Sequence, residues 1–412
     1  MSDDSPPNNP FGDMPFFGGM GGMGDLSSLF GGDPWASARQ IAASVANQGG
    51  SENNIDPSER IAFEQLARVA ELHVNGKTGL SVAEGSPPLI RPATRHEWAQ
   101  ATIDAWRPLF ESMSTAMSQS MSTDLDLPED MGAAGLPFPP EFMQQIMKMM
   151  GPMMFSMTAG SMVGQLARTK LGSYDLPIPR NAPSELLVVH ANIAEFTNEW
   201  SVPTDDMRLW VCLHEYLHHA VLRRPHVKQR LDDLTQAWVQ AFETNPTGLT
   251  DQFGGIDPSN PASMQALEGL MSDPEQLLGV VQSDRQRAMQ PEITALLSAI
   301  VGWVDHYMDS IGESLIGSYG MLSEALRRRR VGADPANRFL ERMLGLELDQ
   351  ACYDTGRAFA EGVIERAGED TLTRMWTEPG NLPTPNEIVA PGLWLARIEL
   401  DALEDPAGDE EE

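Results

Sequence analysis

The chain has 412 residues, with 28 Lys and Arg against 59 Asp and Glu, and a net charge of −31. That length holds one large domain or two ordinary ones, and that charge argues against nucleic acid or anionic lipid as a partner. Two cysteines, Cys212 and Cys352, cannot build a disulfide framework, the acidic start MSDDSPPNNP lacks a signal-peptide pattern, and no run of 18 apolar residues occurs, so a cytoplasmic protein without a membrane span is expected.

Residues 1–34 are rich in Gly, Pro, Met and Asp and lack Lys and Arg. They cannot bury a core and are expected to form a disordered tail. Helical patterns follow. Residues 35–48 form the first. Residues 56–74 form a stronger one, with Pro57 in its first turn and Ile61, Leu66, Val69 and Leu72 as its apolar face. Residues 76–93 read as a connection, and 94–121 as a long amphipathic helix carrying Trp98, Ile103, Trp106 and Leu109.

Residues 122–140 are a loop rich in Pro, Gly and acids. Residues 141–171 read as a Met-rich helix that Gly151-Pro152 should split. Its methionines are read as core filling rather than as a binding groove. A turn-rich connector, 172–183, leads to the best strand candidate, Leu186 to Ile193. An edge strand at that place can pair with an extended peptide. His190, inside it, reads as a core or sheet histidine.

The strongest signal lies in Leu209 to Arg224, which contains His214-Glu215-Tyr216-Leu217-His218. This is the H-E-x-x-H pattern of zinc hydrolases. Residues four apart share a helix face, so His214 and His218 can present imidazole nitrogens to one zinc ion. Glu215 sits round the side, where it can act as general base toward a metal-bound water. Thr204 reads as the N-cap, Asp205 and Asp206 favour the first turn, and Arg223-Arg224-Pro225 reads as a stop. Leu209, Leu213, Leu217 and Val221 form a stripe that buries one side. Cys212 points roughly 160° away from the His214 direction and reads, like Cys352, as a buried thiol.

Residues 226–244 form another helix, and 245–262 a loop. Short helices are expected near 263–271 and 274–287. Pro291 begins a long apolar helix running past Leu315 to the basic run Arg327–Arg330, which reads as a helix C-terminus rather than a phosphate patch. Helices near 335–345 and 347–367 follow, then Pro-punctuated turns. The last twelve residues contain seven acids and no base, a solvated tail. The organisation is therefore a tail (1–34), one mainly α domain (35–400) with a short strand or small sheet beside the metal helix, and an acidic tail (401–412).

A catalytic zinc usually takes three protein ligands. His226 lies beyond the helix-breaking Pro225 and is a poor candidate. The apolar stretch 295–309 carries Asp305 and His306 in its middle, and buried ionisable groups need a partner.

Several stretches together resemble the actinobacterial zincin-like zinc-dependent metalloproteases, a family whose members are also described as coenzyme-biosynthesis-associated hydrolases. They are Gly164-Gln165-Leu166, Leu171 to Pro177, Trp210 to His219, Gly302 to His306, Leu382-Pro383-Thr384 and Glu387-Ile388. The resemblance covers roughly residues 55–400 and implies a zincin-like helical fold, a zinc ion and amide hydrolysis. One departure stands out. Zincins with a glutamate third ligand carry an acid four residues after it, and here that spacing falls on Val301 and Asp305. Valine cannot bind zinc, so Asp305 becomes the third-ligand candidate. The alternatives are His306, an Asp305 that only orients a ligand histidine, and a site that holds metal weakly without a third protein ligand.

The expected function is zinc metallopeptidase on a peptide or protein substrate, with His214, His218 and Asp305 on the metal and Glu215 as general base. Tyr307 or His219 is available for an oxyanion. The gap at Val301 motivates a rival, a catalytically weak zincin-like scaffold that binds a peptide or protein partner. Substrate and oligomeric state are not legible.

Overall fold

Capping acids and prolines start the first helices. Asp33 accepts the Trp35 N–H ahead of α1 (Pro34–Ala46), and Asp56 does the same for Ser58 ahead of α2 (Pro57–Thr78). The computed structural model describes residues 33–83, 85–123, 153, 155–180, 184–241, 283–331 and 335–404. The expected tails beyond these limits, the 124–140 loop, the methionines of 141–152 and the elements expected within 245–282 lie outside the described residues.

After α2 come β1 (Leu89–Ala93), α3 (Arg95–Thr123), α4 (155–166), β2 (Glu185–Val189), α5 (His190–Trp200) and α6 (Thr204–Leu222). Then follow α7 (Pro225–Gln240), α8 (Asp284–Leu315), α9 (Tyr319–Val331), α10 (Pro335–Met343), α11 (Gln350–Ala367), several short helical turns and a last helix, Pro391–Glu404. The fold is mainly α, with one two-stranded sheet among the described residues. None of the described helices is long and apolar enough to cross a membrane.

The sheet is parallel, in register from Leu89 opposite Glu185 to Ala93 opposite Val189. Strand β1 falls inside the expected 76–93 connection, because Arg91 and Pro92 interrupt its apolar run. Strand β2 ends at Val189, four residues before the expected limit. His190 instead opens α5, where its imidazole lies 3.2 Å from a Glu59 carboxylate oxygen. The other edge of β2 is taken by the chain itself. Val189 donates to Leu171 O at 2.8 Å, and Ser173 Oγ accepts the Leu187 N–H at 2.9 Å. At those positions the edge is not open to an added peptide strand.

Helix α2 buries Phe63, Ala67, Ala70 and Val74, while Ile61, Val69 and Leu72 are exposed. The buried face packs on α6, and the small side chains of Ala67 and Ala70 between Phe63 and Val74 let the two axes approach. Helix α6 is buried all round from Leu209 to Leu222, not along one stripe. Thr204 is its first residue rather than its cap. Helix α8 starts at Asp284, upstream of Pro291, because Ser283 and Gln286 form a complete capping box there. The arginine run belongs to a separate helix, α9, since the chain leaves helical geometry at Ile316. Asp206, near the start of α6, fixes that turn by accepting the Ser318 N–H and hydroxyl at 2.9 and 2.6 Å.

Helices α8 and α11 cross with backbones in contact at Gly302 and Gly356. A Cβ on Gly302 would fall 2.2 Å from Gly356 O. Gly302→Ala should therefore destabilise the protein by about 2 kcal/mol in denaturant unfolding. An unchanged unfolding midpoint would contradict this crossing.

Candidate metal centre

Helix α6 delivers two imidazoles to one cavity. The His214 and His218 ring centroids are 4.3 Å apart, as the four-residue spacing requires. Trp210, one turn before His214, stacks on it with centroids 4.8 Å apart. His218 Nδ1 lies 3.0 Å from His214 O. A carbonyl only accepts, so Nδ1 carries the hydrogen and Nε2 keeps its lone pair. Burial lowers the pKa of His214 to about 4 and takes His218 well below the ordinary histidine value, with His214 as its second cause. Both rings are neutral at neutral pH, the form that binds a metal.

The cavity, of about 230 Å³, is bounded on one side by the segment 169–177 and on the other by α8, α9 and α11. The segment is pinned at many points. Trp98 Nε1 donates to Gly172 O at 3.0 Å, and Arg180 donates to Ser173 O at 3.0 and 3.2 Å. Asp175 Oδ2 accepts the Leu171 N–H at 2.7 Å, closing a tight turn. That turn brings Asp175 to α6. Donor atoms of Asp175, His214 and Glu215 lie within 4.8 Å of one another, and no other such trio of His, Cys, Asp or Glu occurs among the described residues.

Glu215 is fully buried. Its two carboxylate oxygens accept the backbone N–H groups of Ser173 and Tyr174, each at 3.0 Å. Burial pushes its pKa up to about 8 against the opposing pull of these two bonds. Its Oε1 lies 3.8 Å from His214 Nδ1. The glutamate thus ties α6 to the segment that carries Asp175.

The profile of the zincin-like metallopeptidase family matches residues 34–395. The chain belongs to that family. A crystal structure of a proposed hydrolase with a novel fold, from Chloroflexus aurantiacus, is 22% identical with a TM-score of 0.55 and covers 89% of this chain and 98% of its own. At that identity the likeness is one of fold. Among curated proteins the comparison found no match.

Membership implies a metal, and the donors of this zincin-like chain fit one: two buried neutral imidazoles, one with its tautomer fixed, and a carboxylate beside them. Asp305 also lines the cavity, one helical turn after Val301, which is buried in the same wall. Burial by itself would raise the Asp305 carboxyl, but Arg330 holds it below the usual range, with both oxygens accepting from the guanidinium at 2.9 Å. His306 is not among the cavity residues; its Nε2 lies 2.9 Å from Glu369 Oε1. Tyr307 bonds to Thr373, and His219 Nδ1 bonds to the Tyr174 hydroxyl at 3.0 Å, so neither of these two residues borders the cavity.

Sequence reasoning missed Asp175, Arg329 and Arg330. Asp175 lay in plain view within Leu171 to Pro177, a stretch already singled out, but it read as part of a turn. The arginines read as a helix end, which they are, yet two of the four border the cavity.

Proposed function

We propose that this chain is a zinc metallopeptidase that holds its metal with His214, His218 and Asp175. The observation that carries this reading is the pair of buried, neutral imidazoles on one helix face, opening on a cavity that Asp175 also borders. Asp175 is preferred to Asp305 as third donor because Arg330 already occupies both oxygens of Asp305. Bound there, zinc supplies Lewis acidity that polarises a carbonyl and makes water a nucleophile at neutral pH.

The remaining work belongs to the chain. Glu215 is the proton acceptor, and it passes the proton to the leaving amine. To act, Oε1 exchanges the Tyr174 N–H for the reacting group, while Oε2 stays on Ser173 and keeps the side chain in place. A cation in the cavity favours the charged carboxylate. Burial of Trp210, Tyr174 and Val301 around the imidazoles excludes bulk water. The substrate is a peptide, as family membership suggests.

One observation favours a second reading. Both oxygens of Glu215 are engaged by backbone amides, which suits a structural tie in a scaffold that binds a peptide without turnover.

The two separate in one experiment. The zinc-loaded protein is incubated with a diverse peptide pool and cleavage is read by mass spectrometry. Wild type should cleave, and Glu215→Gln should lose about 10²- to 10⁴-fold in rate while still binding zinc. A zinc-loaded wild type that cleaves nothing, or a Glu215→Gln variant as fast as wild type, would overturn the peptidase reading.

A further inference from the structure

Four consecutive arginines end α9, and their surroundings differ. Arg327 lies 3.8 Å from Asp309, Arg328 lies 2.8 Å from Glu324, and Arg330 makes its paired bonds to Asp305. Arg329 has no carboxylate within ion-pair distance among the described residues. Its guanidinium sits 5.8 Å from the Phe196 ring centroid, and the residue borders the cavity that holds His214 and His218. It is half-buried, and burial lowers its pKa, as expected of a guanidinium drawn from water without a matching anion.

A buried charge is costly unless it is paired. The nearest acids that act on Arg329 are Asp175 and Glu199. Asp175 is turned to the Leu171 N–H and toward His214, and neither acid reaches the guanidinium. A guanidinium at a partly open cavity carries a planar fork of N–H donors that matches a carboxylate, which it can hold by two parallel bonds. A cationic group at the cavity also offsets the net charge of −31, which repels anions at long range.

We propose that Arg329 binds a carboxylate of the substrate, so that the cavity selects peptides presenting either a free C-terminus or an acidic side chain next to the metal centre. This rests on the peptidase reading for the word substrate, but the binding itself does not require turnover.

The test measures binding to the full chain by calorimetry, with and without zinc. Three probes are used: an N-acetyl-Ala-Ala with a free C-terminus, its C-terminal amide, and N-acetyl-Ala-Glu with the C-terminus amidated. Wild type should bind at least one carboxylate probe about tenfold or more tightly than the neutral amide, the scale of a charge-assisted pair. Which carboxylate probe wins identifies its source. In Arg329→Met the preference should fall to about one, with amide binding unchanged. Arg329→Gln, neutral and polar, serves if the methionine variant does not fold. A carboxylate preference that survives loss of Arg329, or no preference in wild type, overturns the proposal. Preference lost with Arg329 in a protein that cleaves nothing keeps the carboxylate site and sinks only the peptidase.

Discussion

Purified wild-type protein should carry about one zinc per chain by elemental analysis, and His218→Ala should carry none after dialysis. Mutating groups that merely orient a ligand costs about 10- to 100-fold in metal affinity, and removing an imidazole donor costs at least that. Stability gives an independent readout. Zinc at a hundred times its dissociation constant should stabilise the stripped wild type by about 2.7 kcal/mol, and the same addition should leave His218→Ala unmoved. Asp175→Ala should behave like His218→Ala. Asp305→Ala should keep its zinc, because the Asp305 oxygens face Arg330. Zinc retained without Asp175 and lost without Asp305 would return the third donor to α8, where the sequence pattern alone had put it. No zinc in wild type after reconstitution would remove the metal centre altogether.

The second large effect belongs to Gly172→Ala. A Cβ at this position would stand 2.2 Å from Glu215 Oε1 and 2.7 Å from the carboxyl carbon. Glu215 is fully buried, so the carboxylate has no solvent to retreat into. Moving it breaks its bonds to the Ser173 and Tyr174 amides and leaves a buried acid without donors. Leaving a buried hydrogen-bonding group unsatisfied costs about 1–3 kcal/mol, and that is the least loss expected in denaturant unfolding. Gly320→Ala is the control: nothing lies within 4 Å of the added atom, and alanine is the better helix former, so stability should hold or rise slightly. The tie also positions Asp175, so Gly172→Ala should weaken zinc binding in whatever fraction remains folded. Equal stabilities for the two variants would show that the glutamate is not seated as described.

Much of the helical framework was legible in the chain, and the reasons are local. Asp33 and Asp56 are capping residues whose hydrogen bonds reach only two residues along the chain, whereas the Ser283 cap was read through, inside an expected 274–287 helix. The ends of α6 follow from Pro203 and Pro225 in the same way. Where local pattern and packing disagreed, packing prevailed. Ile61, Val69 and Leu72 read as the apolar face of α2, yet the helix turns Phe63, Ala67, Ala70 and Val74 inward, where it packs on α6. Strand β1 carries an arginine and a proline and was passed over, but pairing with β2 across a long stretch of chain makes it a strand.

The candidate centre divides along the same line. His214 and His218 meet because a helix brings every fourth residue round to one face, a relation fixed within a single turn. The neutrality of these rings, the engagement of Glu215 by the Ser173 and Tyr174 amides, the approach of Asp175 and the presence of Arg329 in the same cavity depend on segments far apart in the chain. Such contacts leave no period in the sequence. They arise only when loop closure and burial bring those segments together, because desolvation and charge pairing act through space and not along the backbone.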